Sequence, residues 1–352
     1  MTKMFLDPAG PAEIARYDSP KYPIFDKLAK KQNGFFWLAD EVDCSKDGKD
    51  FRKLVESQQH IFTSNIKRQI VLDTKQGREP AGVLAPLACL PELEIWIQTW
   101  NYFETIHSRS YTHIIQSIYS DPSSVLDTVL DVEPIMKCAQ AISEPYDDLQ
   151  AAVDRYQYTG DSDDLYEAKR QLWLCLNSIN ALEGIRFYVS FACSWAFAEL
   201  KQMEGNAKII KFIARDENIH LAGTQHMLKL LPKDDPEFAK IAERERGRVQ
   251  EMFEQVVEQE IEWAEYLFSE GSMIGLNTEL LTEYIHWLAN KRMRAVGLDA
   301  PYDVGGSNPL PWTEKWISGA DVQVAPQETE ITSYVHGTER DLDSNQFEGF
   351  EL

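Results

Sequence analysis

Two Glu-x-x-His sequences are the residues of this chain best suited to metal chemistry, Glu104/His107 and Glu217/His220. In an α-helix, side chains three positions apart project from the same face, so each pair can present one carboxylate and one imidazole to the same ion. A single motif of this kind often arises by chance in a helical protein. Two such motifs, each on a largely apolar helical pattern, indicate a buried metal site.

A lone carboxylate precedes each motif on an earlier apolar segment. Asp73 lies 31 residues before Glu104, and Glu183 lies 34 residues before Glu217. Together with the two motifs this gives four carboxylates and two imidazoles, whose four negative charges two divalent cations would neutralise. Without cations, four buried like charges would be very costly. Carboxylate-rich ligand sets with one imidazole per ion favour iron or manganese, and such a pair of ions can share the electrons that reduce dioxygen.

Tyr111 is the residue placed to react at such a site, because it falls within ~20° of Glu104 on the same helix. Three apolar residues lie near Glu183 or Glu217 on their helices and are expected to line the site: Phe187, Phe191 and Ile213. A buried tyrosine beside an oxidising metal pair can be converted to a radical that solvent does not quench. The alternative interpretation of Tyr111 and the apolar residues is ordinary core packing.

A third Glu-x-x-His sequence, Glu283/His286, shows that the pattern also occurs without a site. Glu251 lies 32 residues before it, but this upstream segment is heavily charged where the segment around Glu183 is apolar. We therefore assign the third pair to the protein surface.

Long helices must position the two motifs, since glycine and proline are few and cluster between long uninterrupted segments. Periodicity predicts helices over Lys21 to Gln32, Phe51 to Asp73, Pro91 to Tyr119, Glu133 to Gln157, Leu165 to Leu200, Gly205 to Leu231, Pro236 to Gly271 and Asn277 to Gly297. The predicted helix that contains Glu183 is apolar nearly all round and should be central. Two helices that each give one carboxylate and two that give Glu-x-x-His form the ligand set of ferritin-like di-iron and di-manganese bundles, although those carry Glu where this chain has Asp73. The expected fold is all-α and ferritin-like.

Composition limits the partners and the compartment. The net charge of −22 repels phosphate backbones and anionic lipid, which argues against nucleic acid and membrane partners. Five widely spaced cysteines and no apolar leader at the N-terminus favour a cytoplasmic protein with free thiols, in the host cytoplasm if the source is viral. Residues 326–352 are acidic and lack a helical face, so we expect a helical domain over 1–325 and a disordered tail over 326–352.

Five stretches resemble the small, radical-generating subunit of class I ribonucleotide reductase: FETIHSRSYTH (103–113), NALEGIRFYVSFACS (180–194), ARDENIHLAGTQHM (214–227), NPLPWTEKW (308–316) and VAPQETEITSY (324–334). The resemblance extends from about Ala15 to the last residue. It implies a di-iron centre of two iron ions per chain, with manganese not excluded. It also implies these six ligands: Asp73, Glu104, His107, Glu183, Glu217 and His220.

The same resemblance implies a path for the radical and a partner subunit for this chain. Tyr111 would carry the stable radical, Trp37 and Asp216 would form a relay toward His107, and Tyr334 would pass the radical to the large catalytic subunit that reduces ribonucleotides. The C-terminal tail would dock on that subunit, and the chain would form a homodimer. The alternative hypotheses are another ferritin-like di-iron oxidase, such as a desaturase or hydroxylase, and a non-enzymatic iron-storage or structural helical protein.

Overall fold

A computed structural model describes residues 2–317, and in this part of the chain the secondary structure is helical. The α-helices are α1 (Pro23–Gly34), α2 (Asp47–Phe51), α3 (Glu56–Gln76), α4 (Pro91–Ile118), α5 (Ser123–Leu126), α6 (Glu133–Thr159), α7 (Ser162–Ala181), α8 (Tyr188–Glu199), α9 (Glu204–Asp234), α10 (Pro236–Leu267), α11 (Thr278–Ala295) and α12 (Glu314–Ile317). A π-helical turn, Leu182–Arg186, joins α7 to α8. Within residues 2–317 the only β-type pairings are isolated bridges, so the all-α prediction is confirmed.

Local sequence accounts for several helix boundaries. Proline occupies the first turn of α1, α4 and α10, where its missing N–H is not needed and its fixed φ suits the helix. Asp161 and Asn277 cap α7 and α11 by accepting hydrogen bonds from the backbone N–H groups of Asp163 and Leu280. Gly160 ends α6 with φ of 64°, a left-handed conformation in which glycine avoids the usual side-chain clash.

Four segments surround the part of the core that contains the predicted metal ligands. The helix α9 packs against α4, α7 and α8, while α3 packs against α4 and α8. The helices α6 and α10 cover α7 from outside, and α1 lies against α4 and α9. This arrangement turns α3, α4, the π-helical turn and α9 toward one another.

One helix prediction was wrong in a way that matters for the site. Leu165 to Leu200 was expected as a single helix, but the structure divides it into α7, the π-helical turn and α8. The turn inserts wider i to i+5 hydrogen bonding into the helix, a feature frequent at functional sites, and Glu183 lies within it. The segment is central as expected, with α8 almost entirely buried.

The helix predicted from Phe51 also begins later, because Val55 is extended with ψ of 157° and separates α2 from α3. Within the described residues, no helix is both long and apolar enough to cross a membrane. The predicted domain boundary at 325 and the tail 326–352 lie outside the residues that the structure describes.

Candidate metal centre

The six predicted ligands converge in the core of the bundle. Each is 0% exposed, and they come from α3, α4, the π-helical turn and α9: Asp73, Glu104, His107, Glu183, Glu217 and His220. Their ligand atoms form two groups, each with all its atoms within 4.8 Å of one another. One group holds Asp73, Glu104 and His107, and the other holds Glu104, Glu183, Glu217 and His220. Glu104 belongs to both, so the groups form one continuous cluster.

Glu104 and Glu217 lie between the two imidazoles. The Nδ1 atom of His107 is 3.3 Å from Glu104 Oε2 and 3.2 Å from Glu217 Oε1. The Nδ1 atom of His220 is 3.0 Å from Glu104 Oε1 and 3.5 Å from Glu217 Oε2. Each of these glutamates therefore has one oxygen directed to each imidazole, while Asp73 and Glu183 stand at the two ends of the cluster.

Burial and mutual charge perturb the cluster strongly. Burial, followed by the neighbouring glutamate charges, raises the pKa of Asp73 and of Glu183 well above the usual range. Burial acts in the same direction on Glu104, but His220 and His107 outweigh it and hold the pKa of that carboxyl low. For the imidazoles, burial alone would lower the pKa; contacts with acidic neighbours, Glu104 among them, instead raise the pKa of His107 well above its usual value and that of His220 to about 9.

The residues present fit a pair of divalent cations. Both oxygens of Asp73, both of Glu217 and Oε2 of Glu104 are buried and lack a hydrogen-bond partner among the described residues, as do the Nδ1 atoms of His107 and His220. Unpaired buried polar atoms cost free energy, and their convergence from four segments points to a ligand that satisfies them together. Cations would displace the protons that the imidazoles and two carboxyls otherwise retain. Oxygen-rich donors with one imidazole per group suit iron or manganese.

Tyr111 is fully buried beside this cluster, one turn beyond His107 on α4. Burial, and then the negative charge of Asp73, raises the pKa of its phenol well above the usual value, with smaller contributions from Glu217 and Glu104. The hydroxyl forms no hydrogen bond of normal geometry with any described residue. The phenol is therefore held protonated, and its contact with Asp73, which raises the pKa further, is looser than a normal hydrogen bond.

A hydrogen-bonded path runs from the cluster toward Trp37. Trp37 Nε1 donates to Asp216 Oδ2 at 2.7 Å, and the same oxygen is 3.2 Å from His107 Nε2. The Trp37 and His107 rings have centroids 6.2 Å apart. The structure thus brings these three residues into contact, and Asp216 orients the imidazole through the nitrogen that faces away from the cluster.

Sequence reasoning missed several residues that hold the cluster in place. Trp100 Nε1 donates to Glu104 Oε1 at 2.9 Å, Gln76 Nε2 to Glu183 Oε1 at 3.4 Å, and Thr224 Oγ1 to Glu183 Oε2 at 3.5 Å. Each lies three or four positions from a ligand candidate on its own helix, so helical spacing offered the signal. Arg215 binds the other Asp216 oxygen at 3.2 Å, next to it in sequence.

The remaining predicted residues have different outcomes. Phe187, Phe191 and Ile213 are fully buried, and the first two stack at 5.5 Å, but their role in lining the site stays a prediction. The third Glu-x-x-His lies at the surface as expected, since Glu283 is exposed and His286 stacks on Tyr302. Tyr334 lies outside the described residues.

The fold and the cluster define a ferritin-like helical protein with buried carboxylates and histidines that can hold two metal ions. The family model described as "Ribonucleotide reductase, small chain" matches residues 15–309. The ribonucleoside-diphosphate reductase subunit beta of Haemophilus influenzae is 52% identical over 96% of this chain and 93% of its own length. The chain therefore belongs to the ribonucleotide reductase small chain family, the beta subunits of an oxidoreductase that works with a large subunit.

Solved structures show the same fold. The ribonucleotide reductase R2 subunit from Clostridium botulinum has a TM-score of 0.77 at 22% identity, covering 90% of this chain and 94% of that one. A Streptococcus sanguinis protein described as dimanganese(II)-NrdF has a TM-score of 0.71 at 21% identity, covering 87% of this chain and 100% of that one.

Proposed function

We propose that this chain holds two iron ions in the cluster and uses dioxygen to convert Tyr111 to a stable tyrosyl radical. The radical is then passed to the large subunit, where reduction of ribonucleotides begins. The observation that carries the proposal is a fully buried phenol beside a buried cluster of four carboxylates and two imidazoles, in a chain of the reductase family.

The ligand roles follow from the positions of the donor atoms. Glu104 and Glu217 each have one oxygen directed to each imidazole and would serve both ions, whereas Asp73 and Glu183 would each serve one. Two ferrous ions bound there would supply two of the four electrons that reduce dioxygen, Tyr111 would supply the third, and an external one-electron reductant would supply the fourth. Burial keeps water away from the phenol.

Oxidation of Tyr111 must remove its phenolic proton together with an electron, because the raised pKa keeps the phenol protonated at neutral pH. Asp73 is the neighbouring carboxylate that raises the pKa of the phenol most, and we assign it as the group toward which that proton moves. A proton moves between two oxygens along a hydrogen bond, and the phenol and Asp73 are close enough to act on each other through such a contact.

The relay to the large subunit is proposed to pass from Tyr111 and the metal centre through His107, Asp216 and Trp37, and then to Tyr334 in the tail. Contiguous hydrogen bonds of 2.7 and 3.2 Å support the first part of this route. Tyr334 enters the proposal through the resemblance of the sequence around it to the family.

The test is electron paramagnetic resonance of protein loaded with Fe²⁺ and exposed to oxygen. Wild type is expected to show a tyrosyl radical signal, and Tyr111→Phe is expected to lose the signal while keeping the same iron content. Tyr284→Phe is the matched control, because it removes the hydroxyl of another fully buried tyrosine, on α11. A radical that survives in Tyr111→Phe would disprove the assignment.

The C-terminal tail is proposed to dock on the large subunit through its final residues, which include Phe347, Phe350 and Leu352. Deleting residues 340–352 is expected to abolish association with the large subunit, measured by surface plasmon resonance, without changing metal content. Alanine at the three apolar positions should weaken binding in the same direction. Equal affinity of the full-length and truncated chains would refute the docking role. The homodimer is part of the same family-based proposal.

Manganese is the second candidate metal. The donor set accommodates either metal, and the Streptococcus sanguinis neighbour is described as a dimanganese protein. Metal analysis of protein purified from its natural source, together with the radical spectrum after loading with each metal, decides between them. The desaturase or hydroxylase alternative is disfavoured by the match to the reductase family over residues 15–309.

A further inference from the structure

A buried chain of hydrogen bonds leads from α6, which carries no predicted ligand, to Glu183. The hydroxyl of Tyr146 donates to Gln76 Oε1 at 2.8 Å, and Gln76 Nε2 donates to Glu183 Oε1 at 3.4 Å. Gln76 is 0% exposed and Tyr146 is 2% exposed, so water does not compete for these groups. Tyr146 is thereby connected to the cluster through a single side chain.

The second oxygen of Glu183 is held from the opposite side. Thr224 Oγ1 lies 3.5 Å from Glu183 Oε2 and 3.1 Å from the Leu221 carbonyl oxygen, which compete for its one proton, and it accepts a hydrogen bond from Asn180 Nδ2 at 2.8 Å. Neutral donors therefore contact both oxygens of Glu183. Glu217 differs, because neither of its oxygens has a hydrogen-bond partner among the described residues. Glu183 is the glutamate of the cluster whose orientation the surrounding protein controls from both sides.

The orientation of the Gln76 amide is what Tyr146 can control. As a metal ligand Glu183 would be ionised and could only accept hydrogen bonds, so Gln76 would have to turn its NH₂ group, and not its oxygen, toward it, as it does here. In that orientation Gln76 Oε1 is buried and needs a donor, which the Tyr146 hydroxyl supplies. If Tyr146 lacked its hydroxyl, the orientation with the Gln76 NH₂ group toward Glu183 would leave Gln76 Oε1 buried without a donor. The amide could then turn its oxygen toward Glu183 instead.

We propose that Tyr146 is a positioning residue that acts through Gln76 to orient Glu183 as a ligand of the ion bound with Glu217 and His220. This inference rests on the proposed metal centre and concerns one half of it. Among the described residues, no hydrogen bond connects Asp73 or His107, in the other ligand group, to Tyr146 or Gln76. Loss of the hydroxyl should therefore weaken one metal site selectively, whereas a general packing defect would affect both.

The experiment is a titration of metal-free protein with Mn²⁺, followed by electron paramagnetic resonance of the free ion. Wild type is expected to bind two ions per chain. Tyr146→Phe is expected to weaken one of the two sites by about 10- to 100-fold and to leave the other within about twofold, the range typical of residues that orient metal ligands. Gln76→Met should weaken the same site, and adding Tyr146→Phe to Gln76→Met should have no further effect.

Tyr119→Phe is the matched control, because the Tyr119 hydroxyl also bonds a side chain of α3, Thr63 at 2.6 Å, without a link to Glu183. Its two Mn²⁺ affinities should equal those of wild type. Equal weakening of both sites in Tyr146→Phe, unchanged affinities, or additive effects in the double variant would overturn the positioning role. If Tyr146→Phe does not fold, unchanged binding by Gln76→Met overturns it. Wild type that binds fewer than two ions would instead refute the metal centre itself.

Discussion

At the scale of single residues, Glu104 shows how the cluster reconciles full burial with charge. Its pKa is held low by His220 and His107, and Trp100 donates a further hydrogen bond to Oε1 at 2.9 Å. These donors stabilise the ionised carboxylate where burial alone would favour the protonated form. At the two ends, His107 only partly offsets burial and the glutamate charges at Asp73, and burial with the glutamate charges dominates at Glu183, so both pKa values rise. The pKa values of the carboxyls thus differ between the middle and the ends of the cluster, and cations bound across it would stabilise the ionised form of them all.

Trp37→Phe tests the proposed relay at the same scale. The substitution keeps an aromatic ring but removes the Nε1 donor to Asp216, so the path from His107 is broken at one hydrogen bond. We expect ribonucleotide reduction by the complex with the large subunit to fall by about 10- to 100-fold or more, with metal content unchanged. Trp287→Phe is the matched control, since it removes only a 3.3 Å bond to the Gly306 carbonyl. Full turnover in Trp37→Phe would remove Trp37 from the route.

At the scale of elements, the sequence predicted the helices and their metal-facing residues because both depend on local spacing. A period of about 3.6 residues places Glu104 with His107 and Glu217 with His220 whatever the tertiary structure. The π-helical turn at Glu183 could not be predicted from that spacing. One of its carbonyls, that of Gly184, accepts a hydrogen bond at 3.2 Å from Arg292 on α11, a contact that local sequence does not reveal.

Residues that approach from other helices were equally inaccessible to sequence reasoning. Tyr146 lies on α6, whose amphipathic pattern predicts a covering helix and gives no sign of its bond to Gln76. The distance between them in the chain is 70 residues, and only the packing of α6 on α3 brings them together. Local patterns thus predict which residues share a face, and tertiary packing decides which faces meet.

Gly223→Ala tests how tightly α9 and α4 must approach behind His220. A Cβ atom at Gly223 would lie 2.5 Å from Trp96 Nε1, and the rigid, buried indole has no space to withdraw. Trp96 stacks on Trp100, which donates a hydrogen bond to Glu104, so a displacement of Trp96 would be transmitted to the cluster. We expect a loss of about 1–3 kcal/mol in the free energy of unfolding, measured by urea denaturation, and weaker Mn²⁺ binding.

Gly247→Ala provides the comparison on α10, where an added Cβ meets no atom within 4 Å. In a helix interior this substitution should be neutral or stabilising by up to about 1 kcal/mol. If Gly223→Ala were as stable as Gly247→Ala, the close packing of Trp96 on α9 would not limit the site.

At the scale of the whole molecule, the cluster joins segments that are remote in the chain. Its ligands extend from Asp73 on α3 to His220 on α9, with α4 and the π-helical turn between them. Bound cations would therefore connect all four inner segments and would satisfy several buried carboxylate oxygens that have no hydrogen-bond partner in the described part of the chain. Metal should consequently contribute to global stability as well as to chemistry.

Metal removal is expected to lower the melting temperature by roughly 5–15 °C, because each ion held at about 100 times its Kd contributes about 2.7 kcal/mol. Differential scanning calorimetry with and without Mn²⁺ measures the shift. Glu217→Gln should lose most of this metal-dependent shift, because it neutralises a carboxylate that faces both imidazoles of the cluster. Glu283→Gln, in the exposed third motif, should keep the full shift. A metal-dependent shift of normal size in Glu217→Gln would mean that the ions stabilise the protein from another site.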